Sequence, residues 1–323
     1  MSQISNGNKS DLQAMAKSLI EGKLVAIPTE TVYGIAADAM NEHAVQRMYE
    51  VKGRPKSHPV IVHISKFEFI NFWALEIPEY SHSLIKKFWP GPLTIILSRS
   101  KNAGDWITGG QDTIGLRMPN HEKTLELLEA FHQLGGKGLA APSANKFGKV
   151  SPTSPADVIS EIGMELNDSD WVLDGGKSEI GIESTIIDCT QGNPRILRPG
   201  SITKEMITNF CGTEISPTHV KEKISEIRVP GLLDKHYSPR AKVRITDTCK
   251  PGDGFIAMNQ IPSPKGSIRL ASPQTLEEFA KSLYSSLRKA DEMSLNSVVV
   301  VPPQGNGLAE AIRNRIYRSA GSP

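Results

Sequence analysis

Apolar residues recur along this chain in two rhythms. Short runs rich in Val, Ile and Leu predict strands at 24–27, 60–64, 93–97, 113–117, 171–173, 184–188 and 195–197. Between them, apolar positions fall three and four apart, which predicts helices at 11–21, 41–51, 80–88, 122–134, 155–162 and 202–210. In the first helix Leu12, Met15, Leu19 and Ile20 share a face, and Ser10 or Asp11 is placed to cap it. In the second, Val45, Met48 and Tyr49 lie opposite Glu42 and Arg47. Pro155 suits a first helical turn. These strands and helices do not alternate cleanly. The pattern therefore predicts an α/β protein of mixed α+β character, with a mixed twisted sheet and helices on its outside.

The rhythm changes after residue 211. Positions 212–240 carry few apolar residues and include Pro217, Pro230, Gly231 and Pro239, the composition of a linker. His236-Tyr-Ser-Pro239 is an odd cluster for a passive tether. Strand-like runs then return at 243–245, 255–258 and 298–301, with helices at 276–290 and 308–317. Leu276, Phe279, Leu283 and Leu287 share a face, Thr275 and Glu278 have capping-box spacing, and the last helix is basic. This alternation predicts a small α/β domain with a largely parallel sheet. The expected division is 1–211, a linker at 212–240, and 241–323.

Composition narrows the classes without choosing among them. A chain of 323 residues can form one large domain or two smaller ones, and 38% hydrophobic with 22% charged residues fits a soluble globular protein. A net charge of +2 singles out neither a nucleic-acid nor a membrane binder, so any anion site must be local. Cys189, Cys211 and Cys249 lack any CxxC spacing, which argues against a disulfide framework or a cysteine zinc site and fits a reducing compartment. The polar N-terminus is unlike a secretory signal and no run approaches membrane-spanning length, so the expected location is the cytoplasm.

Candidate chemistry gathers where predicted elements end. Pro28 closes the 24–27 strand, and Thr29, Glu30, Thr31 and Tyr33 cluster just beyond it, before Gly34. Ligands in open α/β sheets sit off strand ends. Lys52 and Arg54 flank Gly53 where Pro55 disfavours further helix, so both could meet one anion. Spacing alone equally allows a solvated basic turn in which Lys52 complements the helix dipole. Arg117 and Arg198 lie at strand ends, where arginines are commonly solvated or ion-paired. His63 could be a ligand or a satisfied core histidine. Gly176-Lys-Ser178 lacks the upstream glycine of a phosphate loop, Gly136–Ala141 runs into Pro142 instead of opening a helix, and Ser143-Ala-Asn-Lys146 lacks the partner motifs of an acyl-enzyme site.

Taken together in order, Pro28-Thr-Glu-Thr-Val-Tyr-Gly34, Lys52-Gly-Arg54, Pro59-Val-Ile-Val-His63 and Pro142-Ser-Ala-Asn145 resemble the threonylcarbamoyl-adenylate synthase family with its YrdC-like domain. The resemblance spans roughly residues 10 to 210, and the layout is similar to the longer, two-domain members. It implies an open twisted sheet around one concave cavity. It also implies a nucleotidyltransferase that joins L-threonine, bicarbonate (or carbon dioxide) and ATP into threonylcarbamoyl-AMP and pyrophosphate. The product would serve a threonylcarbamoyl transferase complex that modifies adenosine 37 of tRNAs reading ANN codons. Carried over by position, Thr31, His63, Arg117, Ala141 and Ser184 would hold threonine. Lys52, Arg54, His58, Thr113, Ser143, Asn145, Ser151 and Arg198 would hold ATP, with Lys52 and Arg54 at the reacting phosphates. His58 stands where the family pattern leads one to expect a polar amide. His236 and Tyr237 would reach back from the linker over the nucleotide as a gate. Mg²⁺ would arrive on the ATP phosphates, with no protein ligands of its own. Two other readings compete. One is a non-catalytic module that binds RNA weakly through the same cationic cavity, against which the balanced charge and lack of aromatic stacking motifs weigh. The other is a carbamoyl transferase of hydrogenase maturation, whose additional parts this chain lacks.

Overall fold

The computed structural model describes residues 3–211, 215, 227–231 and 235–321. The remaining parts of the 212–240 linker expectation lie outside the described residues. Ten strands make one mixed sheet: β1 (Gln3–Ser5), β2 (Val25–Ile27), β3 (Gly34–Asp38), β4 (Ile61–His63), β5 (Leu93–Ser98), β6 (Thr113–Arg117), β7 (Leu139–Ala140), β8 (Trp171–Leu173), β9 (Thr185–Asp188) and β10 (Arg195–Arg198). Their spatial order is β1-β8-β2-β3-β7-β4-β6-β5-β9-β10. Four more strands, β11 (Lys242–Ile245), β12 (Gly254–Ile256), β13 (Ile268–Ala271) and β14 (Ser297–Val300), form a second sheet in the order β11-β14-β12-β13, with every pair parallel. The mixed α/β class and the parallel small sheet both follow the hydrophobic pattern.

Four strands departed from it, the two-residue β7 among them. β3 reads Gly-Ile-Ala-Ala-Asp and is buried throughout, so it shows none of the period-two alternation that marks a half-buried strand, and its alanines suit a helix equally. β1 is a short, largely exposed strand pairing only with β8, and its polar sequence carried no strand signal. β13, Ile-Arg-Leu-Ala, is only partly buried.

Helix ends show which residues set the boundaries. The first helix spans Lys9–Ile20, and its cap is Asn8, not Ser10 or Asp11; Asn8 Oδ1 accepts from the Asp11 amide at 3.0 Å. Asp11 lies inside the first turn, where a carboxylate complements the helix dipole. The helix Glu42–Lys52 is capped by Asn41 and stops at Gly53, which adopts φ 61° in the left-handed region. Gly53 thus ends the helix before Pro55 can. Thr275 caps the helix Leu276–Glu292, but the Glu278 carboxylate returns to the Gln274 amide, not to Thr275, so the capping box is incomplete.

The largest core packs one face of the ten-stranded sheet and includes Tyr33, Val62, Trp73, Leu93, Leu116 and Ile187. A second core unites the two sheets' surroundings. It joins Phe279, Leu283, Tyr284, Ile312 and Ile316, from the helices over the small sheet, to Val32, Val150, Ile182 and Tyr237. The close approach is visible at Gly181, where φ is +82° and an added Cβ would lie 2.6 Å from Lys281 Cα.

Candidate active site

Strand pairing brings distant residues to one hollow. β4 and β6 run parallel in a register that makes His63 and Arg117 direct neighbours at their ends. The chain leaves β7 so that the Ala141 amide donates to Ile61 O at 3.0 Å. The following segment then lies over β3, with the Ile35 amide donating to Pro142 O and the Ala144 amide to Tyr33 O, both at 2.8 Å. Parallel pairing of β5 with β9 sets Leu93 opposite Thr185, and Ser184, just before β9, shares a 2.8 Å hydrogen bond with the Thr94 hydroxyl. Thr29 shapes the β2–β3 turn by donating its hydroxyl to Val32 O at 2.6 Å.

Of the residues expected to bind substrate, Thr31, Arg54, His63, Arg117, Ala141, Ser143, Ser184, Arg198, His236 and Tyr237 line this hollow. Its remaining volume, about 60 Å³, has room for a few waters at most while the His236–Tyr237 segment is seated. Lys52, Asn145, Ser151, His58 and Thr113 are not among its lining residues. Lys52 is buried directly behind it, donating to Ser143 O and to Asn145 O at 2.6 Å. The Asn145 side-chain amide holds Lys146 O and Lys149 O, which leaves its buried Oδ1 without a partner. Ser151 donates to Glu183 at 2.6 Å. His58 meets Phe147 edge-on at 5.2 Å, and Phe147 lies under the Arg54 guanidinium at 5.5 Å. Thr113 pairs with Ser98 at the opposite end of β6 from Arg117.

The electrostatics favour an anionic guest. Burial, with Arg54 nearby, presses the Lys52 ammonium well below its ordinary pKa, so it lacks a counter-charge that a phosphate would supply. Burial likewise lowers Arg54 and Arg198. Arg54 donates to Pro59 O at 2.8 Å, and Arg198 donates to Ser184 O and Pro230 O at 2.9 and 3.0 Å. Arg117 Nη2 lies 2.7 Å from Glu30 Oε2, an ion pair not aligned as a hydrogen bond, while Arg117 Nε donates to Gly91 O at 3.3 Å. Burial and then Arg117 drive His63 down to about 3, so its imidazole is neutral at ordinary pH and one ring nitrogen can accept. Burial lowers His236 to about 3 as well.

The segment over the hollow is held from two directions. Gly231 has φ +86°, and a side chain there would collide with the Tyr237 hydroxyl. Tyr237 itself has φ 61°, a conformation unusual for a non-glycine residue. Among the described residues, its buried hydroxyl has no hydrogen-bond partner, nor does His236 Nδ1. The His236 amide donates to Arg318 O and the Ser238 amide to Gly148 O, both at 3.0 Å. Thr29 and Tyr33, from the polar cluster that follows the first predicted strand, line the hollow too; sequence reasoning missed Glu183, the sole carboxylate lining it among the described residues, together with Pro230 and Gly231 as parts of its wall. Glu183 adjoins Ser184 in the turn into β9, but a lone glutamate there looks the same in the sequence whether it faces solvent or a cavity.

The chain matches known proteins along most of its length. Residues 17–200 match the Sua5/YciO/YrdC family model, described as "Telomere recombination", and residues 202–321 match "Threonylcarbamoyl-AMP synthase, C-terminal domain". The chain is 38% identical to the threonylcarbamoyl-AMP synthase of Pyrococcus abyssi, over 93% of this chain and 91% of that one. It is 34% identical to the threonylcarbamoyl-AMP synthase of Bacillus subtilis, over 97% and 94%. The chain belongs to the threonylcarbamoyl-AMP synthase family. Among solved structures, P. abyssi Sua5 in complex with L-threonine superposes with a TM-score of 0.87 at 34% identity, covering 99% of this chain and 97% of that one. A histidine–tyrosine double-alanine variant of the same protein matches equally well, at 35% identity. No described helix is long and apolar enough to cross a membrane, and no described group of three or more His, Cys, Asp or Glu could hold a metal ion.

Proposed function

We propose that this chain is an L-threonylcarbamoyladenylate synthase, forming threonylcarbamoyl-AMP and pyrophosphate from L-threonine, bicarbonate and ATP. The observation that carries the reading is the side-by-side placement of His63 and Arg117, the expected threonine side, in one hollow with Arg54, Ser143 and Arg198, the expected nucleotide side. The threonine complex of P. abyssi Sua5, so close in structure, supports it. We divide the chain accordingly into a catalytic unit at 1–211, a linker at 212–240 and a small α/β unit at 241–323.

In this account Arg117 turns a guanidinium edge to the threonine carboxylate, and neutral His63 and the hydroxyls of Thr31 and Ser184 orient the rest. Threonine's amine, once deprotonated, attacks the carbon of bicarbonate with loss of water (or of carbon dioxide with release of a proton to solvent) to give a carbamate. A carbamate oxygen then attacks the ATP α-phosphorus in line, and pyrophosphate leaves. Lys52 and Arg54 neutralise the charge developing on the phosphates, so little acid–base machinery is required. With one carboxylate in the hollow, the donor set suits Mg²⁺ carried by the phosphates, where it supplies further charge neutralisation. Ser143, Asn145, Ser151 and Arg198 fall to the nucleotide side. Of these, Ser143 and Arg198 already line the hollow, whereas Lys52, Asn145, Ser151, Thr113 and His58 can meet the nucleotide only if it extends past the present lining.

The small remaining volume gives the linker its role. With His236 and Tyr237 seated the hollow is narrow, and in this account these residues swing out to admit ATP and return over the bound nucleotide. His236-Tyr237 is the one His-Tyr dipeptide in this sequence, and such a pair was altered in the P. abyssi variant. Exclusion of water protects the labile carbamate and its adenylate. The product would pass to a tRNA-modifying threonylcarbamoyl transferase complex in the cytoplasm. The test is pyrophosphate release. It is expected only when threonine, bicarbonate and ATP are all present, and to fall on the order of a hundredfold in Arg54→Ala. Release that ignores threonine would overturn the proposal.

A further inference from the structure

Glu183 is an anomaly in a hollow built for anions. It is buried, it lines the cavity beside Arg54, Arg117 and Arg198, and a bare carboxylate there would repel a triphosphate. Its partners come from opposite ends of the chain. Oε1 accepts from the Ser151 hydroxyl at 2.6 Å. Oε2 accepts from the Tyr284 hydroxyl at 2.9 Å and from Arg315 Nε at 2.8 Å, across 101 and 132 residues of sequence. Tyr284 and Arg315 lie on the helices Leu276–Glu292 and Leu308–Ala320 that cover the small sheet, and neither side chain reaches solvent.

The same two side chains support the linker. The Arg315 guanidinium lies 5.5 Å from the centre of the Tyr237 ring, and Tyr284 stacks on that ring at 5.6 Å with 28° between planes. One guanidinium therefore faces a carboxylate of the cavity wall and the aromatic ring that roofs it. Arg315 Nη2 also reaches Glu183 O at 3.3 Å, so both the side chain and the backbone of Glu183 are tied.

We infer that Arg315, assisted by Tyr284, is a positioning residue for the nucleotide half of the site: it cancels the charge of Glu183, lets Glu183 orient the Ser151 hydroxyl, and backs Tyr237 in its closed position. This inference rests on the reading of the hollow as the ATP site. It gives the small-sheet unit a defined task in nucleotide binding, exercised through residues that would not touch the substrate.

The test compares wild type with Arg315→Met, Arg315→Lys, Glu183→Gln and the Glu183→Gln/Arg315→Met pair. The readouts are ATP and threonine dissociation constants by calorimetry, and KM and kcat from pyrophosphate release. Arg315→Met should weaken ATP roughly tenfold or more, because it strands a buried carboxylate beside the phosphates, while threonine affinity stays within about twofold. Arg315→Lys should recover part of the loss. The double variant should bind ATP about as well as Glu183→Gln alone, because the stranded charge is gone. Equal weakening of both ligands, or no recovery in the double variant, would overturn the inference. If Arg315→Met does not fold, the double variant and Arg315→Lys decide the matter by the same constants. A wild type that binds ATP but releases no threonine-dependent pyrophosphate would instead defeat the synthase reading, and the ATP constants of the variants would still judge Arg315.

Discussion

At the scale of single residues, burial sets the chemistry. His63 and His236 are held at about 3, against about 6.5 for an exposed imidazole. Folded, they stay neutral while the unfolded chain takes up protons, so the stability they allow is complete above about pH 6.5 and drains as pH falls towards 3. Each contributes a slope of about 1.4 kcal/mol per pH unit in that window. Urea midpoints from about pH 7 down to 4 should fall steeply, and His63→Gln should flatten the curve by about one such contribution; an unchanged slope would refute the burial argument. Arg117 offers a sharper functional test. Arg117→Lys keeps the charge but loses the planar fork, so KM for threonine should rise roughly tenfold while ATP binding holds. Much of this scale was legible in the sequence. Lys52, Arg54 and Arg117 stood at predicted element ends, and the order of motifs named the family. Glu183 and Arg315 were not legible, because a lone glutamate in a turn and an arginine on a basic helix look alike whether they face solvent or each other.

At the scale of elements, turn and cap residues decide where the working groups stand. Gly53 ends its helix in the left-handed region, after which Arg54 reaches the hollow while Lys52 is buried directly behind it. Gly231 permits the approach of Tyr237. Gly231→Ala should therefore displace the linker. The left-handed backbone alone costs on the order of 1 kcal/mol in a non-glycine residue, and the collision with the Tyr237 hydroxyl adds to it. The expected outcome is a raised KM for ATP with little change in the melting temperature of the main sheet, read by pyrophosphate release and calorimetry; unaltered ATP kinetics would show that the linker does not roof the site. The strands most easily read were those with Val- and Ile-rich runs, such as Leu93–Ser98 and Ser297–Val300. Gly34–Asp38 escaped because a strand buried on both faces loses its alternation, and alanine does not distinguish the two states.

At the scale of the molecule, the two sheets share a core, and the site draws on both. Val32, Val150 and Ile182 pack with Phe279, Leu283 and Ile316. Gly181→Ala, which drives a Cβ into the backbone at Lys281, should loosen this union and lower both the melting temperature and ATP affinity; a stable, fully active variant would contradict the shared core. The sequence pattern foretold a large mixed sheet and a second, smaller parallel one. It could not foretell how closely they join, because interface residues such as Tyr284 and Arg315 carry no periodic signature of their partner. The central claim is that one hollow holds the threonine carbamate against the α-phosphorus of ATP. Mass analysis after incubation with ¹³C-bicarbonate, threonine and ATP tests it most directly. The account predicts a threonylcarbamoyl-AMP product carrying the labelled carbon, formed in step with pyrophosphate and lost in Arg117→Ala. ATP breakdown that yields only unlabelled AMP, whether or not threonine is present, would contradict it.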